Sequence, residues 1–158
     1  MSSARLIEGE PSGRGRKVAI VAARFNDLIV ASLLKGAQGA WLERGGAPQD
    51  LTVVRVPGAF ELPVAARKLA GSGRYDAVVA LGCVIRGDTP HFEYVAGECA
   101  RGLQLAALES GVPVAFGVLT VDSLEQALER AAVSAGNKGG EAMASALEMA
   151  GVMARLGG

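Results

Sequence analysis

The sequence predicts an α/β fold, a three-layer sandwich in which a four-stranded parallel sheet lies between two layers of helices. Three observations predict it. Short apolar runs alternate with longer helical patterns along nearly the whole chain. The runs are continuously apolar, as in residues 17–23 (KVAIVAA), and this marks strands covered on both faces. The resulting order, βαβαβαβαα, leaves few topologies once crossovers are right-handed.

The elements follow in order. Residues 17–23 read as the first strand and 28–44 as a helix, stopped by Gly45-Gly46. Residues 51–56 (LTVVRV) are the second strand, closed by Pro57-Gly58, and 61–70 a helix ending at Gly71. Residues 77–81 are the third strand, which is expected to break at Gly82 and again at Gly87-Asp88. The next helix, 92–109, is entered through Thr89-Pro90 and stopped by Gly111. Pro suits a first helical position because its missing N–H is not needed there, and Thr89 or Asp88 can cap the helix. Residues 114–119 form the fourth strand, 123–133 a helix capped by Ser123 or Asp122, 136–140 a loop, and 141–154 the last helix. Residues 1–15 read as a flexible N-terminal segment and 16–158 as a single domain. Within the first segment, Leu6-Ile7-Glu8 suits either a disordered tail or an edge strand added to a neighbouring subunit.

Composition narrows the function. The chain has 158 residues, half of them hydrophobic and only 4% aromatic, so the core is built of Ala, Val and Leu. Sixteen basic residues balance sixteen acidic ones, which argues against nucleic-acid binding. A neutral, apolar-rich chain also points to burial in an oligomer. Cys83 and Cys99 lack metal-ligand spacing and read as buried free thiols of a reducing compartment. The single histidine, His91, excludes a histidine-rich metal site within one chain. Residues 1–15 are polar and glycine-rich, unlike a signal peptide, and no run approaches the length of a membrane helix, so a cytoplasmic location is expected.

Ligands of parallel sheets bind outside the carboxyl ends of the strands, which directs attention to the strand-to-helix loops. The first, Arg24-Phe25-Asn26-Asp27, lacks the glycines of a dinucleotide fold. Its Phe25 is either a hydrophobic plug or a platform for a planar ring. In the second, Pro57-Gly58-Ala59-Phe60-Glu61, small residues admit a ligand to the backbone. Glu61 is either a ligand group or a favourable charge at a helix start. The third, residues 81–95 (LGCVIRGDTPHFEYV), is the most informative. It places Arg86 just before a helix N-terminus and His91 one turn in, a combination suited to phosphate binding and proton transfer. The helix start disfavours imidazolium, so His91 suits a base, while a bound phosphate pulls the other way. Arg130, near a helix end with Lys138 in the loop beyond, is either a surface pair or a bidentate phosphate clamp. Phe116, inside the fourth strand, reads most simply as core.

Five segments then occur together and in order: Phe25-Asn26; Pro57-Gly58-Ala59-Phe60-Glu61; Gly82-Cys83-Val84-Ile85-Arg86-Gly87 through His91; Phe116-Gly117; and Glu129-Arg130-Ala131 followed by Ala135-Gly136-Asn137-Lys138-Gly139. Together they resemble the 6,7-dimethyl-8-ribityllumazine synthases, from about Lys17 to the last helix. The resemblance implies a flavodoxin-like sandwich assembled as pentamers, in some members as twelve pentamers in a hollow shell, with active sites between adjacent subunits. It implies the penultimate step of riboflavin synthesis, condensing 5-amino-6-(D-ribitylamino)uracil with 3,4-dihydroxy-2-butanone 4-phosphate. No cofactor or metal is expected, because the substrates carry the reactive groups. Association with riboflavin synthase is among the implied partnerships.

Position by position, the resemblance makes Phe25 the ring that stacks on the pyrimidine. Ala59, Phe60 and Glu61 hold the ribityl chain, while Cys83, Val84 and Ile85 supply backbone to the uracil edge. Asp88, Thr89 and Arg130 bind phosphate, His91 transfers protons, and Phe116 closes the site from the next subunit. Asn26 and Lys138 are further candidates. One departure stands out. Many members carry Thr-Lys before Ala-Gly-Asn-Lys, where this chain has Val133-Ser134, so one basic group near the phosphate is missing. Three rivals compete: a flavin carrier, a purely structural shell and a phosphoacceptor receiver domain. The receiver fails because strand three runs into Gly82-Cys83-Val84 and not into an aspartate. The joint presence of Phe25, Glu61, His91 and Arg130 argues against the carrier.

Overall fold

The computed structural model describes residues 3–157. Strands β1 (Val18–Ala23), β2 (Leu51–Val56), β3 (Ala77–Ile85) and β4 (Val114–Val121) form one sheet in the order β2-β1-β3-β4. Every pairing is parallel. Helices α1 (Asp27–Glu43), α4 (Leu124–Ala131) and α5 (Lys138–Gly157) cover one face, and α2 (Leu62–Ala70) and α3 (His91–Ser110) cover the other.

The alternation of side chains across the strands builds two cores. From β1, Val18, Ile20 and Ala22 join Leu33, Trp41, Met143 and Leu147 on one side, while Val21 and Ala23 join Leu62, Ala66 and Leu103 on the other. All six residues of β1 are buried, which explains why its sequence is continuously apolar. The edge strand β2 is only partly covered, and Thr52, Val53 and Arg55 are exposed. Among the described residues no helix is long and apolar enough to cross a membrane.

Several boundaries differ from the sequence reading for physical reasons. β3 does not break at Gly82 but continues to Ile85, paired with β4 from Val78↔Val114 to Ile85↔Val121. Gly82 marks close packing: a methyl there would lie 3.1 Å from Leu62 Cδ1. The glycine lets α2 approach the sheet, and it does not end the strand. Helix α3 begins at His91, so Pro90 occupies the cap position and no side chain caps the helix. The Thr89 hydroxyl is 3.4 Å from the His91 N–H, a long contact. Ser123 does cap α4, accepting from Gln126 N–H at 3.2 Å, but α4 stops at Ala131.

Helix α5 starts at Lys138, inside the expected loop. Asn137 adopts a left-handed conformation (φ 43°) and its side-chain oxygen accepts from Gly140 N–H at 3.2 Å. This start packs backbone-to-backbone on α1, where a methyl at Gly139 would overlap the Leu33 carbonyl. At the N-terminal side, Gly13 N–H donates to Arg44 O at 2.9 Å and Arg155 donates to Glu8 O at 3.4 Å. Leu6 is exposed.

Candidate active site

The chain leaves β1 towards β2 and then returns to place β3 on the opposite side of β1. The loops after β1 and β3 therefore diverge, and a crevice opens at their carboxyl ends. β1 pairs with β3 only as far as Ala22↔Leu81, yet β3 runs on to Ile85 along β4. Cys83, Val84 and Ile85 thus extend past the end of β1, and all three line the crevice. Asn26, in the left-handed conformation (φ 63°), donates from Nδ2 to Cys83 O at 2.9 Å. One side chain so bridges the two diverging loops.

The crevice has two lobes. The inner one, about 220 Å³, is walled by Phe25, Asn26, Ala59, Cys83, Val84, Ile85, Thr89 and His91 among others. The outer one, about 500 Å³, is walled by Phe25, Ala59, Phe60, Glu61, His91 and Tyr94. Phe25, Ala59, His91 and Val95 belong to both. Phe25 is held by its backbone, donating to Pro57 O at 2.9 Å, while its side chain is 72% exposed. It is therefore not a plug, and its ring is free at the crevice wall. Glu61 caps α2 with its backbone and is half-buried beside Phe60. Its position serves both readings, helix-start charge and ligand group.

Burial pushes the Cys83 and Cys99 thiols up to about 11, so both are protonated at neutral pH. Cys83 offers the crevice a carbonyl and a strand edge, not a thiolate nucleophile. His91 is exposed at the first residue of α3, where uncapped N–H groups favour an anion. Asp88 is exposed and lines neither lobe.

Arg86 does not offer its charge to the helix start. Its Nε bonds Asp122 at 3.0 Å, its Nη1 bonds Glu93 at 3.0 Å, and its guanidinium lies 4.4 Å from the centre of the Phe92 ring. Both carboxylates raise its pKa further, Glu93 most.

Phe116, Arg130 and Lys138 lie elsewhere, in a hollow of about 410 Å³ along β4. This hollow shares no residue with the crevice. Phe116 is 48% exposed, which corrects its assignment to the core. The reason is topological: β4 is an edge strand, and its apolar outer residues have no covering layer within the chain. Arg130, in the last turn of α4, forms no ion pair among the described residues, whereas Lys138 pairs with Glu141 at 3.1 Å. Tyr94 and Val95, which sequence reasoning did not single out, line the crevice. Their signal was spacing, since positions three and four after His91 share its helix face.

A family model described as 6,7-dimethyl-8-ribityllumazine synthase matches residues 15–154. The chain is 54% identical over 156 residues to a protein of that name from Nitratidesulfovibrio vulgaris, covering 99% of this chain and all of the relative. With the crevice at the β1–β3 divergence and the five segments disposed around it and along β4, the chain belongs to the 6,7-dimethyl-8-ribityllumazine synthase family.

Proposed function

We propose that the crevice and the β4 hollow are two halves of one active site, completed between adjacent subunits of a homo-oligomer. The chain is a transferase of riboflavin biosynthesis. It condenses 5-amino-6-(D-ribitylamino)uracil with 3,4-dihydroxy-2-butanone 4-phosphate, releasing phosphate and water. The observation that carries the site assignment is His91, which lines both lobes of the crevice where β1 and β3 diverge.

The uracil lies on Phe25 with its polar edge against the backbone of Cys83, Val84 and Ile85. The ribityl chain runs along Ala59 and Phe60 to Glu61. The butanone phosphate sits at the start of α3, by Asp88 and Thr89, with the uncapped N–H groups facing its charge. The uracil 5-amine attacks the ketone and expels water to form an imine. Phosphate then leaves, and the ribitylamino nitrogen closes the ring with loss of a second water. His91 carries protons between these steps. Much of the acceleration comes from orientation, because both reactants are held by their non-reacting ends.

Within one chain, Arg130 and Phe116 serve another site. A neighbour's Arg130 completes the phosphate pocket and its Phe116 closes the crevice, with Lys138 nearby. Exposed Phe25, Phe60 and Tyr94 on one side and Phe116, Leu124 and Leu128 on the other supply the apolar surface such a contact needs. Pentamers, alone or as a shell, fit this head-to-tail arrangement. A cytoplasmic location and an association with riboflavin synthase belong to the same proposal and rest on the family resemblance.

Co-assembly tests it. His91→Ala and Arg130→Ala are each expected to slow formation of the fluorescent lumazine towards the spontaneous rate. Co-expressed in equal amounts, they should regain about a quarter of wild-type activity, because random mixing in a ring leaves that share of interfaces with both native halves. No recovery from correctly assembled mixtures would place both halves within one chain.

A further inference from the structure

We infer that Arg86 is a positioning residue for His91. This inference rests on the proposed role of His91 in proton transfer. Arg86 directly follows β3, and its N–H continues the β3–β4 ladder by donating to Val121 O at 2.8 Å. Beyond it the chain makes an exposed excursion through residues 87–90 before reaching His91. The residues of that excursion are all exposed, α3 has no side-chain cap to define its start, and the first side chain to reach the core is Phe92, partly buried beyond His91.

Arg86 adds a polar anchor to that contact. Its side chain reaches across the base of the excursion to the two residues after His91: Nη1 to the Glu93 carboxylate at 3.0 Å, and the guanidinium face to Phe92 at 4.4 Å. Its third contact, Nε to Asp122 at 3.0 Å, ties the same group to the end of β4. Asp122 is itself fixed, since its N–H donates to Gln126 Oε1 at 2.8 Å. The first turn of α3 is thereby clasped to the ends of two strands, and His91 is set at a defined place over both lobes.

Two carboxylates already share the Arg86 charge, so it is not the phosphate ligand that its sequence position suggests. The planar fork and the ring stack matter more than the charge, and lysine cannot reproduce them. The two carboxylate partners are well exposed, so the ion pairs add little to global stability and act on local order.

Steady-state kinetics of Arg86→Gln in the assembled enzyme, with and without His91→Ala, test this. With His91 present, kcat is expected to fall about tenfold while KM for the diaminouracil changes less than about twofold, as for a displaced catalytic group. In the His91→Ala background the same substitution should leave the rate unchanged, because the group it positions is gone. Equal losses in both backgrounds, or no loss with His91 present, would overturn the inference. Wild-type turnover, measured alongside, tests the underlying reading separately. If Arg86→Gln does not fold, Glu93→Gln takes its place. It breaks the same clasp from the other side and carries the same two expectations, and additivity with His91→Ala overturns the inference equally.

Discussion

The crevice between β1 and β3 and the hollow along β4 are both depressions on one sheet, but they are made in opposite ways. The crevice arises where two strands of unequal length part, and its walls are strand ends, a helix start and a bridging Asn26 that bonds Cys83 O at 2.9 Å. The hollow arises because β4 is the last strand, and Phe116 at 48% exposure has no layer above it. One region is walled by its own chain, and the other, on the proposed function, is covered by a neighbouring subunit. On that proposal a group needed for the reaction lies far from His91 in its own chain.

The largest effect should come from burying a charge in the β4 hollow. Phe116→Asp is expected to prevent assembly, read by light scattering, and to lower turnover about a hundredfold, as for removal of a central interface anchor. The crevice of that variant stays folded. Full activity from dissociated subunits would break the distinction between the two regions.

The next effect separates the two halves kinetically. Arg130→Ala should raise KM for the butanone phosphate about tenfold or more, the value of a charge-assisted hydrogen bond to phosphate. His91→Ala should instead lower kcat by about ten- to a hundredfold without abolishing turnover, since orientation survives. Complete loss on removing His91 from a folded assembly would contradict the orientation argument. An unchanged KM in Arg130→Ala would remove the clamp.

The smallest effect concerns the crevice wall and the helix behind it. Folding raises the Cys83 and Cys99 thiols to about 11, above their value in an unfolded chain. The folded state thus holds these protons more tightly, and their contribution is complete below about pH 9 and is lost as pH rises towards 11. Tm should be level up to about pH 9 and then decline, and the decline should be shallower in Cys99→Ser. An identical slope would show that the Cys99 thiol does not drive it.

The crevice was the more legible region in the sequence. Phe25, Ala59, Phe60, Glu61, Cys83 to Ile85, Thr89 and His91 all fall at strand ends, in the connections that follow them or at a helix start, and the topology of a parallel sheet carries these to one end. What stayed hidden depended on neighbours in space. Gly82 reads as a break in one dimension, but in three it is the gap into which Leu62 fits. Phe116 reads as core because an apolar strand looks the same whether its cover is its own helix or another subunit. Arg86 reads as an anion ligand because its partner Asp122 lies 36 residues away. Only the fold brings them together.

The backbone contact between Leu33 and Gly139 has a consequence for motion. With no room for a methyl between them, the two backbones touch, and such close packing resists the small shear steps by which packed helices usually adjust. Lys138 leads α5, whose first turns line the β4 hollow. On the proposed function, adaptation to a bound phosphate falls to the long side chains of Arg130 and Lys138, whose rotamers exchange far faster than helices shift. The proposed phosphate would then meet movable side chains set on a closely packed frame.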